Sequence, residues 1–227
     1  MQLNFDYDKV IIVKYLIGGG GVFLQSCLGL SDDVVFKQKD LAQMQLDGKL
    51  SVEKKLKYLL LATKQQSERQ IWVDWGFGRG SFWGVNGEYY LECEKEYISH
   101  MYNPIISKCI DNNKFIFQTV GKDEILIAML RYWKNSKVII FKNEQKFSST
   151  RVLGKYFNID SFSSVTKLQL EQSQINNLSY EWDCDWYFSR DRTIGEIEKL
   201  YDSFKLSGFN SEVISEFYEA WRNAIKF

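Results

Sequence analysis

The clearest regularities along the chain are short apolar runs that stop at glycine or polar residues, separated by segments with helical periodicity. "KVIIVKYLI" (9–17) is continuous, apolar and rich in β-branched residues, as in a strand covered on both faces. Gly18–Gly21 end it. "VFLQSCLGLSDD" then reads as a short helix opening at the glycines. In "SVEKKLKYLLLATKQQ" (51–66) Ser51 stands at an N-cap position, and Val52, Leu56, Leu59, Leu60 and Thr63 share one face. The aromatic, glycine-rich "RQIWVDWGFGRGSFWGVNG" (69–87) predicts a strand at Ile71–Val73 and then an irregular loop. A helix is expected over 93–110, interrupted near Asn103-Pro104.

"KFIFQTV" (114–120) repeats the buried-strand pattern. "KDEILIAMLRYWKNS" follows as a helix with Ile125, Met129 and Trp133, or Leu126 and Leu130, turned inward. "KVIIFKN" (137–143) is a third strand. Strand, helix and strand in so short a span form a βαβ unit, hence parallel strands and a right-handed crossover. The fold class predicted is α/β, a parallel central sheet with helices on both faces. Beyond residue 150 the pattern weakens, with helical character over "SSVTKLQLEQSQINN". Near the end, Thr193 and Glu196 suggest a capping box for "IGEIEKLYDSFKL", with Gly208 ending that helix. Asn210 or Ser211 starts "EVISEFYEAWRNAI", where Val213, Phe217, Trp221 and Ile214, Tyr218, Ile225 make two adjoining apolar rows. Residues 192–227 would thus be a helical hairpin packed on one domain spanning 1–227.

Composition agrees with a folded domain: 45% of the 227 residues are hydrophobic and 16% aromatic, enough to build a sizeable core. Lys plus Arg and Asp plus Glu each number 29. A zero balance argues against general nucleic-acid binding, whose affinity rests on phosphate contacts. The scattered Cys27, Cys93, Cys109 and Cys184 contain no CxxC pair, so no metal is expected. Asp6 and Asp8 are unlike the start of a secretory signal, and no apolar run has bilayer length. The expected setting is cytoplasmic, with free thiols and no membrane partner.

Candidate chemistry gathers in a few places. Gly18, Gly19, Gly20 and Gly21, with Val22 and Phe23 opening the helix, could hold an anion on backbone N–H groups. The alternative is a plain turn, although four glycines are entropically expensive to order. Lys142, Ser148, Ser149, Thr150 and Arg151 offer cations and hydroxyls for a phosphate monoester, or else simple helix caps. His100, the single histidine, and Asp123 or Glu124 are candidate general bases. Trp72, Trp75, Phe77, Arg79, Phe82 and Trp83 could stack on a sugar or adenine, though core packing is the commoner role. Asp183 and Asp185 in "WDCDW" are weak evidence for a metal. Arg190 and Arg192 could clamp a phosphate.

A strand, a glycine loop opening a helix, and a later βαβ unit with a polar strand end together resemble the sulfotransferase family. The residues that carry the resemblance are "VIIVKYLIGGGGVFLQS" and "KFIFQTVGKDEILIAMLRYWKNSKVIIFKNEQKFSSTR". The C-terminal helices also resemble the tail of sulfotransferase-like proteins of marine microbes and their phages. The resemblance implies a P-loop NTPase-like fold and sulfuryl transfer from 3′-phosphoadenylyl sulfate to a glycan or small metabolite. The glycine loop would hold the 5′-phosphosulfate. Lys142 stands at the family's 3′-phosphate arginine and Thr150 at its serine. The sequence departs from the pattern at two points. Val22 occupies the loop where the family carries Lys or Arg, leaving Lys14 and Ser26 nearest. Val120 occupies the place of the catalytic histidine. The alternative is a catalytically degenerate member that binds a nucleotide or glycan, or serves as an interaction module in a phage. A kinase-like P-loop enzyme is the weakest choice, because no GK[ST] closes the loop.

Overall fold

The computed structural model describes residues 9–15, 20–36, 39–69, 105, 107–109, 111–120, 126, 129–130, 133, 136–143 and 179–225. Among them are a four-stranded parallel sheet and five helices of eight residues or more. The strands are β1 (Val10–Lys14), β2 (Ile116–Val120), β3 (Lys137–Lys142) and β4 (Ser179–Asp183), in the spatial order β2-β1-β3-β4. The helices are α1 (Gly21–Gly29), α2 (Lys39–Leu46), α3 (Val52–Arg69), α4 (Arg190–Phe204) and α5 (Ser211–Ile225). The expected strands at 9–17, 114–120 and 137–143 therefore lie side by side in one sheet. The fourth strand and α2 are additions that the apolar pattern did not announce.

The chain divides into two compact units. The first holds residues 1–21, 77–103 and 118–185, and with them β1, β3, β4 and the carboxyl half of β2. β1 is buried along its whole length, with Val10 to Val13 fully inaccessible, as expected for an interior strand with both faces covered. It pairs in parallel with β3 from Ile11 opposite Lys137 to Lys14 opposite Ile140. β3 pairs in parallel with β4 from Val138 opposite Ser179 to Lys142 opposite Asp183.

The second unit holds residues 22–76, 104–117 and 186–227. Its core is aromatic. Phe23 of α1 stacks on Trp221 at 4.1 Å and on Phe217 at 5.4 Å, and meets Tyr187 edge-on. Such pairs add about 0.5–1.5 kcal/mol each beyond the area they bury. Buried hydroxyls are satisfied on the backbone: Tyr201 donates to the Cys27 carbonyl at 2.8 Å, and Tyr218 to the Tyr187 carbonyl at 2.7 Å. α3 and α5 pack together, with Leu56, Leu59, Ala62 and Thr63 of α3 buried. Of the two apolar rows expected in α5, Ile214, Phe217, Tyr218 and Trp221 are buried and Val213 is half-buried; the side chain of Ile225 lies outside those described.

Two expected helix boundaries differ. The capping box at Thr193 and Glu196 is not used. A 3-10 turn over Cys184–Phe188 runs directly into α4, so Ser189 is the N-cap, accepting from Arg192 N. Thr193 lies inside the helix and its hydroxyl reaches back to the Trp186 and Ser189 carbonyls at 2.7 and 2.9 Å. Glu196 is buried between Arg192 and Lys199. At the other end, Lys205 takes the left-handed conformation (φ 55°) and closes the helix before Gly208. A lysine can adopt this backbone at a modest cost, so glycine was not needed as the stop signal. Asn210 does cap α5, its side-chain oxygen accepting from the amides of Glu212 and Val213.

Candidate functional site at the carboxyl edge of the sheet

In open parallel sheets, ligands bind beyond the carboxyl ends of the strands. Here that edge is formed by Lys14 and Tyr15 at the end of β1, Lys142 and Asn143 at the end of β3, and Asp183 to Asp185 at the end of β4. Side chains alternate faces along a strand, and partners in a parallel register share a face. Ile140 opposes both Lys14 and Glu181, while Lys142 opposes Asp183. Lys14, Lys142, Glu181 and Asp183 therefore belong to one face. Tyr15, Phe141 and Trp182 belong to the other. The rings confirm the second set: Tyr15 lies 5.7 Å from Phe141, and Phe141 lies 6.3 Å from Trp182. The edge is polar and charged on one side and aromatic on the other.

The charged side is internally paired. Lys142 forms an ion pair with Glu181, both side chains about half exposed or more. Asn143 sits in the left-handed region (φ 57°), a conformation asparagine tolerates better than most residues. Its amide donates to Asp183 Oδ1 at 2.9 Å, and the same oxygen accepts from the Asp185 amide at 2.9 Å. The end of β4 thus fixes the direction in which the chain leaves β3. Lys14 is 5% exposed, an unusual burial for lysine, on the innermost part of this edge.

The glycine turn has an identifiable steric role. Gly20 has φ 79°, where a Cβ would be strained. A Cβ on Gly21 would collide with the Tyr15 ring. Gly21 lets the aromatic ring that follows β1 lie directly on the start of α1. This is close approach by a side chain, a use of glycine that the sequence reading did not separate from approach by a phosphate. Gly18 and Gly19 lie outside the described residues.

The remaining candidates divide in the same way. Phe23 is a core residue of the second unit, and Val22 is half-buried. His100, Asp123, Glu124, Ser148, Ser149, Thr150, Arg151 and the aromatic cluster at 72–83 lie outside the described residues. Arg190 is engaged with Ser215 (Nε to Oγ 2.7 Å) and with Glu219. Arg192 pairs with Glu196 and covers the Trp186 ring at 5.2 Å. Both arginines thus serve the second unit's own packing. Among the described residues, no group of three His, Cys, Asp or Glu side chains is placed to hold a metal. Cys27, Cys109 and Cys184 are buried thiols, none of them in a disulfide. Burial raises the pKa of Cys27 well above the usual thiol value and that of Cys109 to about 12, so neither is a thiolate near neutrality. No described helix is long and apolar enough to cross a membrane.

Comparison with protein-family models, with curated proteins and with solved structures finds no match to this chain. The reading of the site therefore rests on its own residues.

Proposed function

We propose that the carboxyl edge of the sheet is a nucleotide site of the sulfotransferase kind, with 3′-phosphoadenylyl sulfate as donor. The acceptor would be a hydroxyl or amine of a glycan or small metabolite. The observation that carries this reading is the parallel register of β1 and β3. It brings the strand that leads into Gly20 and Gly21 beside the strand that ends in Lys142, at one edge of one sheet. In the reaction, the acceptor oxygen or nitrogen would bond to sulfur as the bond from sulfur to the phosphate oxygen breaks. Adenosine 3′,5′-bisphosphate leaves, and the acceptor's proton passes to a base, for which His100 and Asp123 are the candidates. Backbone amides at the glycine turn and the charge of Lys14 would offset the negative charge on the departing phosphate. Arg151, Ser148, Ser149 and Thr150 would complete the 3′-phosphate contacts.

A second reading, a fold that binds a nucleotide or glycan without turnover, is favoured by one feature of the same edge. Lys142 is already neutralised by Glu181, and the loop has no cation of its own where Val22 stands.

Ligand-induced thermal stabilisation tests both. At 100 times its Kd, adenosine 3′,5′-bisphosphate should add roughly 2.7 kcal/mol to native stability. For a chain of this size that is a rise of several degrees in Tm. ATP should do far less. Lys142→Ala should reduce the rise and Val22→Lys should enlarge it. No rise at millimolar bisphosphate would end the nucleotide reading. A rise without turnover of the sulfated donor across a panel of alcohols, amines and glycans would leave the binder.

A further inference from the structure

The ion pair at the end of β3 has a consequence for what the edge can bind. Lys142 is the last residue of β3 and points to the same face as Glu181 and Asp183 of the neighbouring strand. Glu181 holds the Lys142 ammonium directly. Asp183 is held elsewhere, by the Asn143 side chain and the Asp185 amide, each at 2.9 Å. The two carboxylates thus have different roles. Asp183 shapes the exit of the chain from β3. Glu181 makes no other described hydrogen bond or ion pair. Its side chain is 62% exposed and that of Lys142 is 50% exposed, so neither needs the other to be solvated.

An exposed pair of this kind is worth only about 0–1 kcal/mol. It is weak enough to open, yet it sets a threshold for any incoming anion. A phosphate approaching Lys142 must displace Glu181 and then remain beside its charge.

We propose that Glu181 is an internal competitor for the anion site at Lys142 and determines which anions this edge accepts. An anion with one charge, or with a single contact to Lys142, loses to the tethered carboxylate. A phosphate monoester dianion that is also anchored elsewhere, as in a 3′-phosphonucleotide, can displace it. This inference rests on the nucleotide reading above for the identity of the ligand, but not for the competition itself.

The test is equilibrium binding of adenosine 3′,5′-bisphosphate at low salt, by calorimetry, to the intact chain. The proteins are the wild type, Glu181→Gln, Asp185→Asn and the double variant Glu181→Gln/Lys142→Ala. Removing the carboxylate charge should tighten Kd about three- to tenfold, the scale of one exposed pair plus one nearby like charge. Asp185→Asn changes net charge equally without freeing Lys142, so it should give clearly less. In the double variant the gain should vanish. Glu181→Ala repeats the test with the side chain removed, and a thermal melt of each variant confirms folding. If the wild type binds and Glu181→Gln binds equally well, the competition is wrong and the nucleotide reading survives. If the wild type is silent but Glu181→Gln binds through Lys142, the competition holds, and the wild-type edge is closed to this nucleotide. If neither binds, releasing Lys142 makes no anion site, and both ideas fail. A gain that persists without Lys142 would also overturn the proposal, since bulk charge would then explain it.

Discussion

Lys55 offers the sharpest test of the forces that hold the second unit together. It lies on α3, its side chain is fully inaccessible, and its ammonium donates to the Leu30 carbonyl at 3.3 Å, the Ser31 carbonyl at 2.7 Å and Asp32 Oδ1 at 2.9 Å. Three donors meet three acceptors. The first two are carbonyls just past the end of α1, where a helix leaves carbonyls without internal partners and carries partial negative charge. Lys55→Met keeps the apolar stem and deletes the donors. Asp32 is 65% exposed and can rehydrate, so its loss counts for little. Leu30 and Ser31 are buried. Each carbonyl left without a partner costs about 1–3 kcal/mol.

Against this stands the cost of burying an ammonium, which lowers the pKa of Lys55. Burial is the largest influence, opposed by the hydrogen bond and charge of Asp32. Removing the charge recovers part of that cost. The net expectation is a loss of about 2–4 kcal/mol for Lys55→Met, read as a lower urea midpoint at unchanged m. Lys55→Ala should lose about 1–2 kcal/mol more through the cavity its stem leaves. A methionine variant as stable as the wild type would refute the reasoning. It would mean that desolvation of the ammonium outweighs everything it donates to.

Three further outcomes follow from the same contacts. Burial raises the pKa of Asp33, but hydrogen bonds from the Ser207 side chain and backbone, the charge of Lys114 and the Ser31 hydroxyl together outweigh it and hold it below the usual carboxylate value. The unfolded chain therefore takes up this proton first as pH falls, so the stability that Asp33 supplies is complete above the unfolded pKa near 4 and is lost as pH falls through the folded value. Asp33→Asn should flatten that acid limb and cost about 1–2 kcal/mol at neutral pH, measured by denaturant titration across the range. Gly21→Ala should destabilise by about 1–3 kcal/mol because its methyl meets the Tyr15 ring, and Tyr15→Ala in the same chain should remove most of the added penalty; additive losses would show that the ring does not rest on the glycine. Ser189→Ala should lower stability by about 1 kcal/mol, whereas Ser189→Asp, which keeps an acceptor for the Arg192 amide, should cost little; equal losses in thermal melts would show that Ser189 is not the cap.

The strands at 9–17, 114–120 and 137–143 were legible because burial on both faces leaves an unbroken apolar run, as in "VIIV" and "VIIF"; the strand expected at Ile71–Val73 lies outside the described residues. β4 was not, because "SYEWD" carries polar residues at alternate positions and ends in the acidic stretch that drew attention as a metal candidate. Its register partners explain the pattern: Glu181 and Asp183 share a face with exposed Lys142, while Trp182 packs against Phe141. A strand with one polar face reads as loop when the window is only five residues long. α2 was missed for a related reason. "KDLAQMQL" is short and mostly polar, and one of its buried anchors is Gln45, which donates to the Val34 carbonyl at 2.6 Å. Lys55 was hidden because lysine on a helix is read as solvent-facing unless the carbonyls it will meet are known in advance.

At the candidate site, the sequence could show that glycine was needed without showing what approaches it. A ring and a phosphate make the same demand on a missing Cβ. Only the position of Tyr15 separates them at Gly21. The same holds for Lys142. Its place at a strand end is a matter of order along the chain, but its availability depends on a residue thirty-nine positions later, across a pairing that no local pattern encodes. Charge counted along the sequence suggested a cation beside hydroxyls. Charge counted across the β3 and β4 ends gives one lysine facing Glu181 and Asp183. Any phosphate that binds there must draw its affinity from more than Lys142, which makes the glycine turn and the 148–151 segment the decisive contributors to the nucleotide reading.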